Sequence, residues 1–177
     1  MTYRLIVPSD TIPDSRTISE AIVDGVADLV REHLRRKNSE TQPNQNGLPK
    51  SNYYSEAADN VTPYVRGSTV CVDVDHPGLA MHYEGGTVYP KKKALAIPID
   101  PSVAGIWPSE AGGIATGDAY SLVWPKNSDH GFIKDNESGD LLWLLVPKAT
   151  IPADPTVLPT DGEILQTAED YIMELFS

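Results

Sequence analysis

Six consecutive apolar residues, Leu141-Leu142-Trp143-Leu144-Leu145-Val146, constrain the fold more than any other stretch of the chain. The run is far shorter than the ~20 residues that cross a bilayer. It is also short for a buried helix, which needs at least ~10–12. Gly139-Asp140 precedes it and Pro147-Lys148 follows, so the apolar run is bounded by turn chemistry at both ends. It reads as a strand buried on both faces, with Trp143 in the core. A chain that carries such a strand must build a sheet around it.

The rest of the sequence supplies elements to pack on that sheet. Tyr3–Val7 reads as a short strand. Thr17-Ile18-Ser19-Glu20 has the form of a capping box. Behind it Ile18, Ala21, Ile22, Val26, Leu29, Val30 and His33 recur at helical spacing, predicting a helix to about Lys37. Arg31, Arg35, Arg36 and Lys37 then sit where cations complement the helix dipole, and Gly25 marks a close approach by another backbone. The segment 38–50, NSETQPNQNGLPK, has almost no apolar residue and reads as an exposed, mobile loop. A short helix is expected over 52–60, capped by Ser51. Val61–Val65 and Thr69–Val74 flank Arg66-Gly67-Ser68 as a hairpin. There Val70, Val72 and Val74 point one way, and Thr69, Cys71 and Asp73 the other. Residues 100–140 are dense in Gly and Pro and read as a long irregular insertion, extended only over 119–124 and 131–134. Thr160-Asp161-Gly162-Glu163 is a second capping box. It opens a closing helix with Ile164, Leu165, Ala168, Ile172 and Leu175 on one stripe. The expectation is a single α+β domain over 1–177: an antiparallel sheet packed by a long N-terminal helix and a C-terminal helix.

Charge and composition narrow the function. The formal net charge is −11 and the pI near 4.6, a surface that repels phosphate and argues against sequence-specific nucleic-acid binding. The single cysteine, Cys71, excludes an intrachain disulfide and a Cys-based zinc site and fits a reducing cytoplasm. It is expected as a small packing residue. No signal peptide and no membrane span are expected. Asp73, Asp75, His76, His82 and Glu84 lie within twelve positions and are the best metal or acid/base candidates. Their spacing matches no metal template, and Asp75 and His76 serve the turn at Pro77-Gly78. No GxSxG elbow, phosphate loop or dinucleotide fingerprint occurs. No catalytic residue, cofactor or metal is therefore assigned.

The segment 76–100, HPGLAMHYEGGTVYPKKKALAIPID, concentrates the turn chemistry. Pro77-Gly78 and Gly85-Gly86 punctuate it, and Val88 and Ala94–Ile99 read as extended chain. Lys91, Lys92 and Lys93 form a basic knot at the expected tip of a hairpin held out to a neighbouring subunit. Tyr89 stands beside them. Trp107 and Trp124 each precede a proline, and either pack the insertion onto the body or anchor a protein contact. The subunit-interface candidates are thus Tyr89, Lys91, Lys92, Lys93, Trp107 and Trp124.

Several stretches, in this order, resemble the Mu-like phage virion morphogenesis family of tail-completion and head-tail joining proteins. They are Arg31-Glu32-His33-Leu34, Tyr53-Tyr54 with Ala57-Ala58, Asp75-His76-Pro77-Gly78, and His82-Tyr83-Glu84-Gly85-Gly86-Thr87-Val88. Pro90-Lys91-Lys92-Lys93-Ala94-Leu95-Ala96-Ile97-Pro98 and Leu144–Pro152 complete the set. The family's Arg-Pro-Phe-like element is replaced here by Ala153-Asp154-Pro155. The resemblance implies a structural protein of the virion of a tailed phage or prophage, made in the bacterial host cytoplasm. It implies no reaction, neck or tail proteins as partners, and a homo-oligomeric ring in the particle built from subunits that are monomeric in solution. Two other readings stand beside it: a metal-assisted hydrolase using Asp73, His82 and Glu84, and a bacterial binding module using the Trp107–Trp124 arm.

Overall fold

A computed structural model of the chain describes residues 2–6, 15–41, 48, 51–67, 69–111 and 117–175. In chain order the elements are β1 (Thr2–Ile6), α1 (Ser15–Glu40), α2 (Tyr53–Asp59), β2 (Val61–Arg66), β3 (Thr69–Val74) and α3 (Leu79–Glu84). Then follow β4 (Gly86–Val88), β5 (Leu95–Pro98), β6 (Tyr120–Val123), β7 (Gly131–Asp135), β8 (Leu141–Val146), β9 (Ala149–Ile151) and α4 (Asp161–Leu175). Single 3-10 turns cover Pro101–Val103 and Pro155–Val157. The fold is α+β, with antiparallel sheets and long helices at each end of the chain. Among the described residues no helix is long and apolar enough to cross a membrane.

The elements fall into two compact units. The first comprises 1–41, 51–85 and 152–177. Its sheet has the order β1-β3-β2, both pairs antiparallel. Of the predicted stripe of α1, Ile18, Ile22, Val26 and Val30 are buried and Leu29 and His33 partly so, and Leu34 extends the buried side. Val26, Val30 and Leu34 share one core with Val72 and Val74 of β3 and Ala57 and Ala58 of α2. The hairpin β2–β3 closes as expected, with Arg66 opposite Thr69. Val70, Val72 and Val74 are buried, and so is the free thiol Cys71, so the second face of β3 is better covered than alternation implied. The closing capping box also forms. Glu163 N–H donates to Thr160 Oγ1 at 3.2 Å, and Thr160 N–H donates to Glu163 Oε2 at 2.8 Å.

Four expectations for this unit are corrected. Helix α1 begins at Ser15, so Thr17 lies inside it rather than capping it. The helix also runs through Asn38–Glu40, the start of the expected loop. Most of that loop, 42–47, 49 and 50, lies outside the described residues. At Gly25 the close approach is made by a side chain: an added Cβ would strike the Tyr171 ring of α4. The largest correction is α3. Leu79–Glu84, for which no helix is expected, is a helix between Gly78 (φ 81) and Gly85 (φ 76). Both glycines hold left-handed angles that other residues avoid, and a Cβ on Gly85 would lie 2.7 Å from the Ala153 backbone nitrogen.

The second unit comprises 42–50 and 86–151. The run Leu141–Val146 is a central strand, β8, in an antiparallel sheet of order β5-β8-β7-β6. Trp143 is fully buried and its indole N–H donates to the Ile106 carbonyl at 3.4 Å. Strands β6 and β7 form at the two stretches expected to be extended within the irregular segment, 119–124 and 131–134, and the 3-10 turn at Pro101–Val103 buries Val103 against Ile133 and Trp143. The expected hairpin over 76–100 does not form. Strand β4 pairs with β9, whereas β5 pairs with β8. Lys91–Lys93 form an exposed bend between strands of two different sheets, not a hairpin tip.

Candidate interaction surface

The five sequence-derived metal candidates separate once folded. Asp75 and Glu84 are exposed, while Asp73, His76 and His82 are partly buried. Among the described residues no group of three or more His, Cys, Asp or Glu side chains is placed to hold a metal ion. His82 instead joins an aromatic nest. Its ring lies 4.7 Å from Tyr53 and 5.8 Å from Tyr54, and His76 packs edge-on to Tyr53 at 4.5 Å. Tyr53 donates to the Pro77 carbonyl at 2.8 Å. Burial pushes the Tyr53 phenol up to about 12, and lowers His82 below the usual imidazole range against an opposing pull from Asp154. The nest is a packed joint. It ties α2 to the turn before α3, and the His82 carbonyl accepts from Asp154 N–H at 2.9 Å.

The basic end of α1 is likewise committed to structure. Arg31 donates to Asp28 and to the Val61 carbonyl, and Arg35 reaches Asp59. Lys37 pairs with Asp154 at 2.8 Å and donates to Thr156 Oγ1 at 2.6 Å. The hydrogen bond from Lys37, then that from Thr156, holds the Asp154 carboxyl below its ordinary value. The expected helix-end electrostatics is thus a tertiary clasp.

The second unit has an open cavity of about 410 Å³ lined in part by Asp100, Glu110, Asp135 and Asp140. Three of these carboxylates are engaged locally. Asp100 accepts from Ser102 N–H and O–H, Asp135 from Glu137 and Ser138 N–H, and Glu110 from Trp107 N–H. These bonds lower the Asp100 and Asp135 carboxyls.

What remains prominent is surface. Tyr89 is 67% exposed, Trp107 65% and Trp124 53%, and Lys91, Lys92 and Lys93 are all exposed. All six sequence-derived interface candidates fall in the second unit. Trp124 is partly fixed: it caps Gly131, where a Cβ would meet its ring, and its indole N–H donates to the Ser128 carbonyl at 3.1 Å. Among the described residues Trp107 is held through its backbone, by Glu110 and Ala111.

Sequence reasoning missed a second set of apolar residues, two exposed and five half-buried. The core side of the four-stranded sheet carries Ala96, Ile133, Trp143, Leu145 and Tyr120. By strand alternation the opposite side carries Ile97, Leu144, Phe132 and Val123, which are aligned in register across all four strands. Leu95 opposite Val146 forms a second row. The register shift between Ile133 and Lys134 brings Leu141 onto this side as well, opposite Lys134. None of these seven apolar residues is buried. The alternation in Gly131-Phe132-Ile133-Lys134 was the available signal, but apolar residues at both middle positions conceal which side faces out.

The net charge is divided as unevenly. The first unit holds seven Lys and Arg against eighteen Asp and Glu, and the second seven against seven. The whole excess of −11 therefore belongs to the first unit. Helix α4 carries five carboxylate residues, Asp161, Glu163, Glu169, Asp170 and Glu174, and no basic one. Comparison with family models, curated proteins and solved structures finds no match to this chain.

Proposed function

We propose that the chain is a structural, non-enzymatic subunit of the virion of a tailed phage or prophage, acting in tail completion or head-tail joining and assembling as a ring. The observation that carries this reading is the segment His82–Pro98, whose sequence resembles that of Mu-like virion morphogenesis proteins. Its chemistry suits an assembling subunit. The lysine bend is solvent-exposed, and the ALAIP part enters a sheet whose outer side is apolar. Three tryptophan or tyrosine side chains on the same unit are more than half exposed, and these residue types dominate the energetics of protein contacts. An excess of acid on the other unit disfavours adhesion to DNA.

The direct test is deletion of the gene from an inducible prophage followed by electron microscopy of the particles. Unjoined heads and tails, or tails of defective ends, are expected; normal infectious virions would end the reading. A finer test reverses the charge of Lys91, Lys92 and Lys93 to Glu. These side chains are exposed in a bend, so folding should be unchanged to within ~0.5 kcal/mol while incorporation into particles falls.

A further inference from the structure

We propose that the outer side of the β5-β8-β7-β6 sheet docks on helix α4 of a second copy of this chain, an inference that rests on reading the chain as an assembling subunit. An antiparallel sheet with one solvated side normally alternates apolar inside with polar outside. This sheet breaks that rule. Ile97, Leu144, Phe132 and Val123 form an apolar row across all four strands, and Leu141 extends it beside Lys134. Val123 is 37% exposed and Leu141 41%. A contiguous apolar surface of this kind marks an interaction site.

The charges around the surface select the occupant. Lys134 lies on this side of β7, Lys148 follows β8, and the bend Lys91–Lys93 leads into β5. The same surface on a second copy offers no carboxylate among its strand positions to pair with Lys134. The partner surface must therefore be acidic and partly apolar. Helix α4 meets both conditions. One side, Ile164 and Ala168, is buried in the first unit, while Leu165 is 50% and Met173 72% exposed between five acidic residues. Leu165, Glu169 and Met173 are spaced four apart, so they lie along one side of the helix. A contact between two different surfaces of identical chains is heterologous and propagates head to tail until rotation closes it.

The test places a photo-reactive phenylalanine analogue at position 132 of the full chain and mixes isotopically light and heavy protein before irradiation. The expected product joins residue 132 of one isotopic form to residues 161–175 of the other. A product joining the outer sheet surfaces of two copies, or the absence of any mixed-isotope product, would overturn the proposal. Lys134→Glu should cut the mixed product about tenfold, and Glu169→Lys in the partner should restore much of it. An unchanged yield in the folded Lys134→Glu protein also counts against it. The two readings fail separately. Normal particles without the gene would remove the virion role and leave the cross-link standing, whereas defective particles with no mixed product would do the reverse.

Discussion

The two units solve the same problem, covering an antiparallel sheet, in different ways. In the first, α1 lays Val26, Val30 and Leu34 over Val72 and Val74 of β3, and α2 adds Ala57 and Ala58. Its basic side chains are spent on clasps such as Lys37 with Asp154. In the second, short connections and one 3-10 turn pack a single side around Trp143, and the other side stays apolar and partly exposed. Its lysines at 91–93 are exposed. The difference teaches where to look for function. The first unit spends its cations on internal pairs and exposes apolar groups chiefly on the acidic helix α4, whereas the second exposes apolar and basic groups together, the combination to test for contact.

The largest effect that sharpens this contrast is expected in the second unit's core. Trp143 is the largest fully buried side chain among the described residues, and among those of its own unit no α-helix stands ready to compensate for its loss. Trp143→Ala should cost about 3–5 kcal/mol. Hydrogen exchange followed by mass spectrometry should show protection lost over 86–151 and retained in α1. Equal loss in α1 would mean that the units unfold together and that the contrast between them is one of surface only.

Next in size is the pH response of the first unit. Burial lowers His82, so its neutral form is favoured in the fold. The unfolded chain then binds more protons as pH falls through the ordinary imidazole value near 6.5, and stability declines on acidification. Asp154 is also lowered, by Lys37 first, and its contribution persists until pH falls well below 3.8. Thermal midpoints measured from neutral to mildly acidic pH should therefore fall. His82→Phe should flatten that decline without touching the later acid limb. A wild-type midpoint unaffected by mild acid would show that the nest carries no linkage.

Much of the first unit was legible in the sequence. The apolar stripe of α1 has a period of 3.6 over more than four turns, and the box Thr160 to Glu163 is a local reciprocal bond that needs no tertiary context. The run Leu141–Val146 was equally plain. The helix α3 was not, because six residues between glycines hold too few periods to distinguish helix from strand. The hairpin expected over 76–100 failed for another reason. Strand β4 has three residues, and its partner β9 lies some sixty positions on, so proximity in sequence misled. The outer apolar surface was hidden because an apolar run predicts burial on both sides, and only the assembled sheet shows that one side of it is incompletely covered.

A smaller effect compares the basic residues themselves. Lys37→Ala removes the pair with Asp154 and the bond to Thr156, yet both partners retain some exposure, so about 1 kcal/mol is expected. Lys92→Ala should change stability by less than ~0.5 kcal/mol. Chemical denaturation of both variants measures the pair. Equal losses would erase the distinction between clasping and exposed cations.

The smallest expected effect on stability carries the most information. Phe132 sits in the middle of the outer row, between Leu144 and Val123, and is partly exposed. If that side of the sheet served only the fold of its own unit, Phe132→Thr would leave a gap among apolar neighbours and cost several kcal/mol. If it serves docking, threonine keeps the β-branched fit to a strand, loses little internal packing and gives up mainly the contact with the partner. The expected result is a shift within ~1 kcal/mol in denaturant unfolding, accompanied by loss of self-association in sedimentation at high protein concentration. A large destabilisation with association intact would reverse the assignment, making the row part of the unit's own core and moving the interface to Tyr89, Trp107 and Trp124.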